Sequence, residues 1–184
     1  MSKTLLGIFV FAAMAAAQPL GVGVKLGVPA TDAFDVLPLP SFTPFNADQR
    51  PFVFGPYLEL RLPANLAIEI DALYRSFEFR NADVAETATS WEFPVLVKHR
   101  FASGLIRPYF DVGASFSRLS DIRFQTLKHR SNYGLVVGGG FDINALLIKI
   151  SPEIRYTAWG FRNLDGPGVE SNRNQLLVLF GIGF

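Results

Sequence analysis

The closing stretch "NQLLVLFGIGF" restricts the possible folds more than any other part of the chain. Phe184, Ile182, Phe180, Val178 and Leu176 fall on one face, and Gly183, Gly181, Leu179, Leu177 and Gln175 on the other. A period of two marks a β-strand, because successive side chains leave opposite sides of the backbone. The same period returns in seven upstream segments, starting with "PLGVGVKLGV", "PFVFGPYLELRL", "NLAIEIDALYR" and "SWEFPVLVKHRF". "IRPYFDVGASF", "SNYGLVVGGGFDI" and "LLIKISPEIRYTAW" complete the set. In each, one face is aliphatic and aromatic, as with Leu20, Val22, Val24, Leu26 and Val28 in the first.

The connections alternate in length. Residues 63–65, 102–104 and 144–145 read as tight turns, while 29–50, 79–89, 118–130 and 160–173 read as longer polar loops. An even number of strands with short turns at one end and long loops at the other predicts an all-β fold. It is an eight-stranded antiparallel up-and-down transmembrane β-barrel.

A soluble eight-stranded barrel would alternate too, but with its apolar face inward around a ligand and its charges outward. Here the second face carries Lys25, Glu59, Arg61, Glu69, Asp71, Arg75, Glu92, Lys98, Arg107, Asp111, Lys149, Glu153 and Arg155, interleaved with glycine. Mixed charges and glycines cannot make a hydrophobic core. Paired ions can fill a narrow lumen, while lipid solvates the apolar face and closure leaves no open strand edge. The pattern is inside-out, and that selects the membrane barrel. The 49% hydrophobic content and mean hydropathy of +0.26 agree with it. No run reaches the roughly 18 apolar residues of a spanning helix.

The N-terminus reads as an export signal. Lys3 precedes an apolar run over Leu5–Ala17, which ends in Ala15-Ala16-Ala17 before Gln18. This divides the chain into a signal peptide, 1–17, cleaved near Ala17, and a barrel, 18–184. With no cysteine in the sequence, disulfides, thiolate metal sites and a lipidated cysteine are ruled out. A net charge of +1 offers no general attraction to nucleic acid.

"WEFPVLVKHRF", "RPYFDVGASFS", "GLVVGGGFDI" and "SPEIRYTAWG" together resemble the outer-membrane-protein β-barrel domain family of small OmpX-like barrels. The resemblance implies the fold and a bacterial outer-membrane location of Gram-negative type, with membrane lipid and lipopolysaccharide as surroundings. It also implies that "LLVLFGIGF", through Phe180, Ile182 and Phe184, is the signal presented to the barrel-insertion machinery. It implies little about activity, since one fold hosts many functions.

Chemistry-bearing residues are few. An eight-stranded barrel is wide enough only for its own side chains, so the inward charges read as a salt-bridged plug, with a narrow, porin-like pore as the alternative. Glu92, Lys98, Glu153 and Arg155 are expected at its heart. Tyr74, Trp91, Tyr156 and Trp159 are expected in an aromatic girdle, and His99 at the periplasmic interface. "HRSN" is similar to the catalytic strand of outer-membrane lipid A deacylases, where a histidine is general base to a serine and an acid orients the imidazole. His129 and Ser131 share a face, but about twelve residues on, where that family has glutamate, the chain has Ile143. Asp121 is the nearby acid. Neither a metal nor a cofactor site is expected: the two histidines are isolated, and the glycines of "VVGGGFD" precede no helix. The leading reading is a non-enzymatic outer-membrane barrel with a structural or surface-loop role. A lipid A-modifying hydrolase using Ser131 and His129 is the rival.

Overall fold

A computed structural model describes residues 19–31, 34–36, 45–81, 84–101, 104–120, 131–145, 147–160, 165–166 and 169–184. Among these, eight antiparallel strands close a barrel: β1 (Leu20–Pro29), β2 (Phe45–Arg61), β3 (Leu66–Asp71 continuing as Leu73–Asn81) and β4 (Val84–Arg100). β5 (Ile106–Ser120), β6 (Ser131–Ala145), β7 (Ile148–Trp159) and β8 (Asn174–Gly183) complete it. Each strand pairs with its sequence neighbour, and β1 pairs with β8 to shut the ring, with Val24 opposite Ile182.

The break in β3 has a local cause. Pro56 on β2 and Pro94 on β4 flank Asp71 and Ala72 in the register, and neither proline has an N–H for the ladder. Ala72 N still donates to Pro56 O at 2.9 Å, so the strand continues in register beyond the gap. Pro152 leaves a similar gap between β6 and β7, whose pairing steps from Gly140 to Ile143.

The hairpin between β2 and β3 turns through Ala64 and Asn65, with φ of 62° and 61°. Two successive left-handed residues make the turn whose twist matches paired strands. Leu62 N donates to Leu66 O at 2.9 Å, closing it.

The expected loop over 79–89 is instead mostly strand. β3 runs to Asn81 and β4 starts at Val84, with Asn81 opposite Val84. These strands outlast the bilayer: β4 has 17 residues, whereas a membrane crossing needs about 9–11. Two expected loops also hold short strands. Phe34–Val36 pairs with Val169–Ser171, which pairs in turn with Asp165–Gly166.

The outer face is the apolar one. Val24 is 51% exposed and Leu135 70%, while Lys25 is 1% exposed and Glu59 not at all. Aromatic rings gather in two places on this face. Tyr74 packs against Phe54 at 5.4 Å and Trp91 at 5.3 Å, and Phe101 against His99 at 5.1 Å and Phe110 at 6.5 Å. Trp91 and Phe101 lie ten residues apart on and just after β4. At about 3.3 Å per residue and a tilt near 40°, that is roughly 25 Å, the height of an outer-membrane apolar band. Trp159 departs from the girdle expectation. It shares the parity of Arg155 and Thr157, points inward and is buried.

Candidate functional site

The lumen is where the polar chemistry collects, because alternation sends every second residue there. In the central tier, Lys25 Nζ donates to Glu69 Oε1 at 2.5 Å, Glu153 Oε2 at 2.8 Å and Asp71 Oδ2 at 3.3 Å. Lys98 Nζ donates to the other oxygen of Glu69 at 2.5 Å, so one carboxylate bridges two ammonium groups. Arg155 donates through Nε to Glu153 and through Nη1 to Asp71, both at 2.6 Å. Tyr109 OH donates to Glu153 at 3.2 Å.

A second tier lies toward the short-turn end. Glu59 accepts from Arg100 Nη2 at 2.5 Å, Lys149 Nζ at 2.9 Å and Arg61 Nε at 3.1 Å. Asp142 accepts from Arg100 Nε at 2.6 Å and Ser151 Oγ at 2.7 Å. Lys98 Nζ, 3.9 Å from Glu59, joins the two tiers. Arg107 sits at the rim, donating to Asn144 Oδ1 at 2.9 Å. Asp111, fully buried opposite Lys98 in the β4–β5 ladder, has no hydrogen-bond partner for either oxygen among the described residues. Arg100 and Asp142 join the inward charges named from sequence: Arg100 has the parity of Lys98, and Asp142 that of Val136.

Glycine and tyrosine make the tiers fit. The Tyr57 ring lies over Gly23 and Gly183, and the Tyr109 ring over Gly140, where any Cβ would collide with it. Lysines then cover the rings. Lys98 Nζ is 4.1 Å from the Tyr109 centroid, and Lys25 and Lys149 are 5.5 and 5.4 Å from that of Tyr57. Such contacts favour the charged ammonium in a desolvated interior.

Above the charges, Val53, Leu73, Leu177 and Leu179 form a buried apolar cluster. Along β3 it falls between Asp71 and Arg75, so it separates the central tier from a small group nearer the loops. There Arg75 donates to Gln175 Oε1 at 2.9 Å and lies 3.2 Å from Glu92 Oε1. Glu92, expected at the heart of the network, is therefore apart from it.

Over residues 3–181 the sequence matches the model of the family described as outer membrane protein beta-barrel domain. The chain belongs to this family. Among solved structures it is similar to Neisserial surface protein A, with a TM-score of 0.60 at 14% identity over 90% of this chain and 96% of that one. It is also similar to the outer membrane protein OprG from Pseudomonas aeruginosa, with a TM-score of 0.55 at 12% identity over 90% and 94%. At these identities the likeness is one of fold. No curated protein matches the sequence.

For this member of the outer membrane protein beta-barrel domain family, the other candidate residues lie outside the lumen. Phe180, Ile182 and Phe184 point outward at the short-turn end and are 53%, 46% and 73% exposed. Residues 1–18 and His129 lie outside the described residues; Ser131 begins β6, opposite Arg118. Ile143 pairs with Ile106 and Ile150, so no carboxylate stands at that position. Among the described residues no group of histidines and acids is arranged to hold a metal.

Proposed function

We propose that the protein is a small, non-enzymatic outer-membrane barrel whose lumen is closed and whose role is structural or carried by its surface loops. Residues 1–17 direct its export and are removed near Ala17. Phe180, Ile182 and Phe184 serve as the signal to the insertion machinery, and outer-membrane lipid and lipopolysaccharide surround the apolar face. The supporting observation is the filling of the lumen: two linked tiers of ion pairs under the cluster of Val53, Leu73, Leu177 and Leu179. Water and ions find little room where an eight-stranded interior is already occupied by side chains.

The test is planar-bilayer recording of purified, heat-modifiable protein. No steady large conductance is expected. A stable, ion-selective open channel would instead establish the pore.

A further inference from the structure

In the barrel strands, wherever side chains are described, Asp, Glu, Lys and Arg point into the lumen, with Arg118 as the one exception. It is exposed near the loop end of β5, with the outward parity of Val112 and Phe116. The ladder sets it opposite Trp91 on β4 and Ser131 on β6. Trp91 belongs to the loop-side group of rings, so Arg118 stands where the apolar band gives way to headgroups. No carboxylate partners it among the described residues. A guanidinium at the edge of hydrocarbon is costly unless it reaches water or an anion.

The sequence beside it is cationic as well. Residues 121–130, which join β5 to β6, carry Arg123, Lys128 and Arg130 against one acid, Asp121. The stretches 32–50 and 77–88 have the opposite balance, three acids to one base each. The connection from β5 to β6 is thus the cationic one of these three in sequence, and Arg118 lies just before it.

We propose that Arg118, with Trp91 beside it, binds a phosphate group of lipopolysaccharide in the outer leaflet. The planar guanidinium matches phosphate oxygens through paired N–H donors, and an indole at the interface flanks the site with an amphipathic surface. The inference rests on the outer-membrane reading and adds to it a specific lipid contact.

The experiment compares wild type, Arg118→Ala, Arg118→Gln and Arg118→Lys refolded in lipid-free detergent micelles. The heat-modified gel shift scores folding in each case. Native mass spectrometry then measures binding of lipid A and of lipid A stripped of its phosphates. Wild type is expected to favour the phosphorylated lipid about tenfold, the scale of one charge-assisted contact. Arg118→Ala and Arg118→Gln lose that preference, and Arg118→Lys keeps part of it. Equal binding of both lipids by wild type, or full preference in the neutral variants, overturns the proposal. Wild type that never gives the heat-modified form overturns the outer-membrane reading itself, and this inference with it.

Discussion

Arg100 donates from Nε to Asp142 Oδ2 at 2.6 Å, tying β4 to β6 across the intervening β5. Its Nη2 reaches Glu59 on β2 at 2.5 Å, so a single guanidinium serves two buried carboxylates from different strands. Replacing it leaves Asp142 with only the Ser151 hydroxyl among the described residues, while Glu59 keeps Lys149 and Arg61. Arg100→Leu should destabilise the barrel by about 3–5 kcal/mol, because an uncompensated buried charge costs more than the pair contributes. Urea unfolding in micelles measures this, and a loss below about 1 kcal/mol would show that the two tiers do not depend on the contact.

The apolar cluster makes its own prediction. Leu179 is fully buried beside Val53, Leu73 and Leu177, and trimming it leaves a cavity with no solvent to fill it favourably. Leu179→Ala should cost about 2–5 kcal/mol by the same measurement. An unchanged midpoint would mean that the cluster is not packed.

Gly183 faces the Tyr57 hydroxyl so closely that a Cβ cannot fit without movement. Gly183→Ala is expected to cost about 1–3 kcal/mol through overpacking. Since the nearest obstructing atom is the hydroxyl oxygen, Tyr57→Phe should recover part of the loss in the double variant. Strict additivity of the two single effects would refute the steric cause.

At the β2–β3 turn, Ala64 has a φ of 62°, a conformation that an L-residue with a Cβ adopts at a cost of roughly 1–2 kcal/mol. Ala64→Gly relieves it, less the extra freedom that glycine gives the unfolded chain. A net gain of roughly 0.5–1 kcal/mol is expected. A lower denaturation midpoint in this variant would contradict the turn assignment.

On the enzymatic rival, Ser131→Ala is expected to leave lipid A acylation unchanged. Mass spectrometry of lipid A from cells expressing wild type, Ser131→Ala or His129→Ala decides it. Loss of an acyl chain that needs both residues would make the protein a deacylase.

Alternation made the barrel legible, because lipid outside and ions inside demand opposite chemistry at every second position. It did not give the ion pairs. Lys25 meets Glu69 and Asp71 from β3 and Glu153 from β7, and those partners depend on the stagger of the closed ring. Arg100 and Asp142 were readable from parity but stand near strand ends, where the apolar signal fades. The same fading hid Phe77–Asn81 and Val84–Thr89. Strand beyond the bilayer need not keep a greasy face, so its sequence looks like loop. For Trp159 position overrides residue type: an indole suits the girdle, but its odd number, shared with Arg155, puts it inside.

The ring is closed by two strands that no hairpin joins. Val24 lies opposite Ile182, 158 residues further along the chain. Bringing such distant ends together carries an entropy cost on the order of 4–5 kcal/mol, against about 1 for a four-residue turn. The eighth strand of the barrel is thus the one that completes the wall. Until β8 docks, β1 and β7 each present a bare edge, and a chain cut short of Asn174 has no way to finish the cylinder. Closure of this barrel therefore needs its first and last strands together, each supplying the partner that the other's free edge lacks.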